Sequence, residues 1–565
     1  MENPPDAGAG SRARFFAIAG WLPSYRRIWL RADIIAGVAL VGLLISEGMG
    51  YAGIAGVPPQ AGLYAALAGL FIYALFGSSR HVAVSATSST AIIIAATVGP
   101  MAAGNPERYA SLAATLVIIT GLVFVLAWVS RLGFVSDFVA KPVVTGFVFG
   151  LALIIIIRQA PKLLGIQGLG GNGNFFRLSW DVVTHLGSVN NPTVIIGILS
   201  LATLVLLGRF AGRFPAALMV LVAGIVATFF LGLSDHGVSI VGHIPSGLPR
   251  PSLPSISPAD LSTLIPSAAG IVLVAYAEGL GSARVLADRH RYEIDPNQEL
   301  RATGFANIGS GLLGGIAVAG GLSGSSANDT NGAKTQVSTL TAAAVLLLTL
   351  VFLTSLFHDL PESVLAAIVI YAVRHMLNYR EIWRFARIRG DSLGMTLPAL
   401  GGVLVFGVLT GLALAVVLSL AILARELSRP HIVELGKIKE TGAWVNYAHH
   451  PEADRFPPLA IYRINGVLFF ASADIVRNAI RQSVKRGHPR IVVIDLEALF
   501  DIDATSGVML DDLSRDLQAD GFEVAFTNAH HDVLRALTRE GLVDKLGESR
   551  FYPSVDAAVA RLAGN

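Results

Sequence analysis

The sequence predicts a polytopic α-helical membrane protein that ends in a soluble α/β domain. Three observations carry that prediction. Of 565 residues, 53% are hydrophobic and 14% charged, with a mean hydropathy of +0.62; a soluble chain carries roughly a quarter charged residues. The apolar residues gather in runs close to the ~20 residues that a helix needs to cross a bilayer. Beyond Arg425 charge rises, and short β-like runs alternate with helical ones.

Residues 1–31 read as a cytoplasmic tail, because Arg12, Arg14, Arg26, Arg27 and Arg31 cluster before the first apolar run. No signal-peptide pattern is present. The membrane domain is expected over 32–428. Its first half has spans at 33–51, 62–77, 110–129, 134–157, 192–207 and 215–233, with a helix at 89–101 too short to cross alone. A proline-rich connection over 234–263 separates the halves. Spans follow at 264–286, 337–357 and 363–377, with a glycine-rich span before 320. The long run 397–423 is split near 407–411 into two helices. An even span count puts the last domain, 429–565, on the cytoplasmic side as well. In it LAIYRI, VLFFA, RIVVIDL and EVAFTN read as strands, and 472–485, 511–520 and 532–539 as helices. About 130 residues suffice for a core of its own.

Two polar breaks interrupt the membrane domain, VSATSST at 84–90 and GGLSGSSANDTNGAKT at 320–335. Irregular backbone at membrane depth survives only where it is buried in protein or lines a cavity. Each break is followed by residues able to start a short helix. Two half-helices pointing their N-termini at one site offer partial positive charge and unpaired N–H donors, which suits an anion. Ser85, Ala86, Thr87, Ser88, Ser323, Gly324, Ser325 and Ser326 are the candidate substrate-binding residues, any of whose hydroxyls could instead cap its own helix.

Glu47-Gly48-Met49-Gly50 and Glu278-Gly279-Leu280-Gly281 occupy the first span of each half and precede their breaks by similar distances. The matching order suggests two repeats with a site at their interface. Glu278 and Glu47 are the candidate coupling-ion residues, since an intramembrane carboxylate is costly unless it takes a proton or a cation. The net charge of +3 implies no nucleic-acid partner, and 0 cysteines exclude disulfides and thiolate metal sites. His449-His450 and His530-His531 lack metal-site spacing. No nucleophile–base set or phosphate-binding loop is present, so neither an enzyme nor a cofactor is expected.

The chain resembles the sulfate permease (SulP) family, bacterial relatives of the animal solute-carrier anion exchangers. The resemblance lies in GMGYAGIAGVPPQAGLY with FGSSRHVAV, AKPVVTGF, IPSGLPRP, and NQELRATGFANIGSGLLGG with GAKT. YRINGVLFFASAD, IDLEALFDIDATSG and REGLVDKLG resemble the cytoplasmic STAS domain that ends such transporters. The resemblance implies fourteen helices in a seven-plus-seven inverted repeat, the third and tenth being the half-helices. It also implies a core moving against a gate, and a homodimer. Three positions depart from the family pattern: Ser46-Glu47, Ser85-Ala86, and Ser323-Gly324-Ser325, where the usual arginine is missing. In the STAS-like part, Asp503 to Gly507 resembles a loop phosphorylated in anti-sigma-factor antagonists, which singles out Thr505 and Ser506.

The expected activity is secondary active transport of a small anion across the cytoplasmic membrane by alternating access. A sulfate-like oxyanion with proton symport is the leading form. Sodium-coupled bicarbonate and proton-coupled C4-dicarboxylate transport are the alternatives, followed by an exchanger or an anion channel. A regulatory scaffold is disfavoured, because a mere anchor would not need half-helix breaks.

Overall fold

A computed structural model of the chain describes residues 17–133, 141–167, 174–210, 216–249, 251–254, 257–388 and 390–563. The chain divides into two compact units, Met1–Ser419 and Leu420–Asn565.

In the first unit, short helical turns over 17–29 lead into α1 (Leu30–Ala55). It ends at Gly56, whose φ of 75° is the left-handed stop that glycine supplies. α2 (Pro59–Phe76) starts on a proline, which needs no N–H there. The chain then runs through β1 (Val84–Ala86), α3 (Ser88–Ala102), α4 (Pro106–Val129), α5 (Lys141–Leu164), α6 (Phe175–Thr184), α7 (Asn191–Phe210) and α8 (Ala216–Leu231). The second half repeats the pattern with α9 (Pro258–His290), α10 (Pro296–Leu312), β2 (Val318–Gly320), α11 (Leu322–Thr330), α12 (Val337–Leu348) and α13 (Glu362–Val373). α14 (Tyr379–Ile388), α15 (Gly390–Phe406) and α16 (Val408–Leu427) complete it. Gly407, at φ 86°, makes the expected break between the last two.

Among the described residues, seven helical stretches are long and apolar enough to cross a membrane, one of them α12 continued to Phe357. Ile195, Leu199, Phe210, Phe229 and Phe230 are each more than half exposed, which suits lipid and not water. The span expected at 134–157 is found as α5; residues 134–140 lie outside the described ones. α6 and α14 escape a search for apolar runs, because each is apolar on one face only.

The helices sort into two packing groups. α10 packs on α4 and α2, α12 on α1, and α9 on α4. α5, α7, α13 and α15 pack chiefly on one another. Within the first group the two halves meet in an antiparallel strand pair, Val84 opposite Gly320 and Ala86 opposite Val318. α3 and α11 start immediately after these strands, and so leave the pair in opposite directions. Glycine lets the helices close around it. A Cβ on Gly62 would stand 1.8 Å from the Gly48 carbonyl oxygen, and one on Gly320 would stand 3.1 Å from Gly279 Cα.

The second unit is a six-stranded sheet flanked by helices. Its strands are β3 (His431–Lys437), β4 (Trp444–Asn446), β5 (Leu459–Asn465), β6 (Ile491–Asp495), β7 (Glu523–Thr527) and β8 (Phe551–Tyr552), in spatial order β4-β3-β5-β6-β7-β8. β5 to β8 are parallel, and β3 is antiparallel to both its neighbours. α17 (Ala473–Gly487), α18 (Ala504–Ala519), α19 (His531–Arg539), α20 (Leu542–Leu546) and α21 (Val555–Leu562) complete the unit.

The VLFFA strand is a correction, because residues 467–471 form a turn with one isolated bridge, Leu468 to Ile502. Ser472 is responsible: its hydroxyl accepts the Phe469 N–H at 3.0 Å and donates to the Val467 carbonyl at 3.0 Å, which competes with a strand ladder. α18 starts seven residues before the expected Asp511, because Asp503 caps it. The Asp503 carboxylate accepts the Ser506 N–H at 2.9 Å, the Ser506 hydroxyl at 2.6 Å and the Phe470 N–H at 2.8 Å. Burial works to raise this carboxyl's pKa, but those hydrogen bonds outweigh it and hold it below the usual value.

Asp503→Ala should therefore cost about 0.5–2 kcal/mol of this unit's stability in urea titrations near neutral pH. Because the folded pKa is depressed, the contribution is complete above the unfolded value of ~3.9 and fades as pH falls through the lower folded one. Wild type and variant should converge in strong acid. A gap that stays constant from neutral to acid pH would show that the carboxylate is not the source. The same capping buries the Ser506 hydroxyl, whereas Thr505 stands exposed.

Candidate functional site

The two acids singled out in the sequence meet the half-helix starts crosswise. Glu47, on α1, accepts the Ser323 hydroxyl of α11 at 2.8 Å. Glu278, on α9, accepts the Ser89 hydroxyl of α3 at 2.7 Å. Each acid thus holds the half-helix of the opposite repeat, and the echo of Glu-Gly-x-Gly has a geometric cause. The glycine after each acid lets its helix make a close backbone contact: Gly48 against Gly62 of α2, and Gly279 against Gly320 of β2. Glu47 is buried and Glu278 half-buried, and no basic side chain holds either of them among the described residues.

The remaining candidates divide. Thr87 is the N-cap of α3, but its hydroxyl pairs with those of Ser89 and Thr90, 3.2 Å from each, rather than with the helix end. Ser88 is buried and reaches the Met376 sulfur at 3.7 Å. Ser85 and Ala86 lie buried in β1, where the Ser85 hydroxyl donates to the Ala86 carbonyl at 3.4 Å. Ser325 is buried and accepts the Ala83 N–H at 3.1 Å, so it fastens the two breaks together. Ser326 is half-buried, and Gly324 is buried with room for a Cβ. The first-turn N–H groups of α3 and α11 have no i−4 partner within their helices and face this setting. The site that results has helix-end donors, hydroxyls and two carboxylates.

Around it lies a brace of buried amide side chains and one carboxylate. Asn328 donates to the His81 carbonyl at 2.9 Å, and Gln336 donates to the Ser79 and Val82 carbonyls at 2.9 Å each. Asn307 donates to the Thr303 and Val318 carbonyls and accepts the Val318 N–H. Asp33, fully buried, accepts the N–H groups of Lys334 and Thr335 and the Thr335 hydroxyl. Its place at the start of α1, two residues after the arginines, was the available signal. Ser89 was missed as a site residue, although it belongs to VSATSST.

Three groups that could ligate a metal, His81, His290 and Asp329, come within 4.8 Å of one another. The two imidazoles are stacked, 4.2 Å between centroids and 16° between planes. In-plane lone pairs on near-parallel rings do not converge on one ion ~2.0–2.1 Å from both nitrogens. In this arrangement the cluster ties the ends of α9 and α11 to the segment before β1, with Asp329 bridging His290 and Arg289 at 2.6 Å each. His450 pairs with Glu452 at 2.9 Å, and His530 bonds the Glu497 carbonyl at 2.9 Å.

Residues 30–396 match the Sulfate permease family. The chain belongs to that family. Residues 450–558 match the STAS domain. A probable sulfate transporter of Mycobacterium tuberculosis is 36% identical over 549 residues, covering 96% of this chain and 98% of its own. Sulfate transporter 1.1 of Arabidopsis thaliana is 31% identical over 582 residues, covering 96% and 88%. Among solved structures, the murine solute carrier 26 family member A9 anion transporter in the inward-facing state aligns with a TM-score of 0.91 at 21% identity, covering 100% of this chain and 97% of that one. The transmembrane domain of a cyanobacterium bicarbonate transporter aligns at 0.61 and 23% identity, covering 70% and 98%. The fold is therefore that of the solute carrier 26 membrane domain followed by a STAS domain, and the chain is a multi-pass membrane protein.

Several permease-family motifs prove structural in this chain. Glu299 of NQELR accepts the Tyr73 hydroxyl and the N–H and hydroxyl of Ser78 in FGSSR, which locks α10 to the end of α2. GAKT supplies the turn that Asp33 holds. Lys141 of AKPVVTGF pairs with Glu381 at 3.0 Å.

Proposed function

We propose that this permease carries a small oxyanion of the sulfate class across the membrane by alternating access, coupled to protons. The observation that carries the proposal is the crossed pair, Glu47 on Ser323 and Glu278 on Ser89. Two carboxylates at the starts of two half-helices repel an anion. A helix end offers only ~0.3–1 kcal/mol each, up to about 2 when partly buried, and Gly324 leaves no fixed cation where the family usually has arginine. A proton taken up as the anion enters removes the repulsion and ties the two fluxes together. The name of the Mycobacterium tuberculosis relative, 36% identical along nearly the whole chain, supports the sulfate class. The sorting of the helices into two packing groups, with the half-helices in one of them, supports the alternating-access reading.

The test is uptake by the purified full-length protein in liposomes, offered sulfate, bicarbonate, fumarate or chloride. Sulfate should accumulate with an inward proton gradient, faster at mildly acidic pH, with sodium making no difference. Accumulation that follows sodium instead would place a sodium ion between the carboxylates. Uptake indifferent to both gradients would overturn the coupling and leave exchange or uniport.

A further inference from the structure

Away from the half-helix starts, a cavity of about 570 Å³ opens between the two packing groups. On one side it is lined by the C-terminal turns of α1 and α3, including Gly53, Gly56 and Gly99. On the other side stand Arg158 and Lys162 of α5 and Ser363 in the first turn of α13. Six residues of α1 separate Glu47 from Gly53, ~9 Å along the helix, and ten of α3 separate Ser89 from Gly99, ~15 Å. The cavity is thus a separate place on the same seam, toward the membrane face opposite the start of α1.

Two polar atoms on its wall are buried and have no partner among the described residues, Arg158 Nε and Ser363 Oγ. Ser363 is 1% exposed. Buried polar groups are normally paired, and an unpaired charged donor is especially costly. Both atoms are donors that line the same cavity, and Ser363 lies in the first turn of α13, where the helix dipole adds to the pull on an anion. The remaining charges on the wall do not supply that ligand. Glu362 is held by Lys162 at 3.3 Å, and Asp181 of α6 makes no ion pair with Arg158 among the described residues.

We infer that this cavity is a second anion subsite, in which a small oxyanion accepts from Arg158 and Ser363 on its way to or from the half-helices. The inference rests on the anion-transport reading, because the same anion is assigned to both places. An oxyanion fits better than a halide. Its several acceptor oxygens can take a guanidinium N–H and a hydroxyl at once, with charge-assisted bonds to the former. Relative motion of the two packing groups would widen or close this seam, so occupancy here is coupled to the transport cycle.

The experiment is equilibrium binding of radiolabelled sulfate to the full-length protein in detergent, with the stoichiometry read at saturation and uptake kinetics measured alongside. Wild type should bind two sulfates per chain. Arg158→Gln should bind one at the same concentrations, its cavity affinity falling by about tenfold or more. Ser363→Ala should weaken the same site by a smaller factor, and Arg158→Lys should keep it partly. In liposomes Arg158→Gln should raise the half-saturating sulfate concentration and leave the maximal rate nearly unchanged. Glu278→Gln, which leaves the cavity untouched, should retain the Arg158-dependent sulfate. A wild-type stoichiometry of one that Arg158→Gln does not lower overturns the second site, even if transport stands. Two bound sulfates in a protein that moves none would sink the transport reading and keep the site. Thermal melts of all variants identify any that lose sulfate by unfolding, in which case Ser363→Ala and Arg158→Lys decide.

Discussion

Glu278→Gln should abolish proton-driven accumulation of the anion while anion binding survives. The substitution keeps shape and length. An amide oxygen can still accept the Ser89 hydroxyl that now donates at 2.7 Å, so α3 stays held. What disappears is a group able to change charge. Gln is close to a permanently protonated Glu, and an anion should enter the variant's site at least as readily as in wild type. The return half of the cycle is where the variant fails, because no proton can be released with the anion. In liposomes the variant should exchange labelled for unlabelled anion yet stop at equal concentrations on the two sides. Wild type should exceed that level under an inward proton gradient. If Glu278→Gln concentrates the anion as wild type does, Glu278 is a structural acceptor for Ser89, and the coupling group must be sought at Glu47.

The crossed arrangement explains why part of the site was legible and part was not. Glu47 and Glu278 could be read directly, since an acid in an apolar span has few bland explanations. The breaks at 84–90 and 320–335 were legible because glycine, serine and asparagine at membrane depth demand a buried or cavity setting. Which hydroxyl meets which acid was not legible. Ser89 lies 189 positions from Glu278, and Ser323 lies 276 from Glu47, pairings that only the antiparallel contact of β1 with β2 brings about. The locks on Glu299 and Asp33 escaped for the same reason, since their partners lie 221 and 301 positions away. In the second unit, RIVVIDL is an apolar run bounded by turns and reads correctly as a buried strand. VLFFA looks similar, but Ser472 diverts its backbone into a turn. A local hydroxyl beats strand propensity there because Val467 and Phe470 are exposed and add little packing. The Arg158 cavity was invisible in the sequence, because an arginine near the end of an apolar span reads as an interfacial residue. Its Nε, without a partner among the described residues, shows only once α13 is packed against α5.

Gly324→Arg should weaken the dependence of transport on pH and lower the anion concentration needed for half-saturation. Gly324 lies within α11, one residue past Ser323, and a Cβ added there meets Leu44 Cδ2 at 3.6 Å and Ala83 Cβ at 3.8 Å. Those are ordinary contacts, so a side chain can start without displacing backbone. Arginine also favours helix over glycine by close to 1 kcal/mol. The effect is electrostatic. Unit charges 4 Å apart at an effective dielectric of 20 interact with about 4 kcal/mol, several times the ~0.3–1 kcal/mol of a helix end. A fixed guanidinium at this position therefore supplies permanently what the proton supplies in wild type. The anion can then bind with the carboxylates still charged, and uptake should flatten between mildly acidic and neutral pH. There is a competing outcome, because Glu47 accepts from the neighbouring Ser323 and could take the new guanidinium as its own partner. The pair would then be neutral, and the anion would gain little. The Gly324→Arg, Glu47→Gln double variant separates the two cases. With the competing carboxylate removed, the cation is free for the anion, and affinity should rise well above that of either single variant. If the double variant binds no more tightly than wild type and keeps the wild-type pH profile, charge at the half-helix starts does not govern anion binding, and the proton acts elsewhere in the cycle.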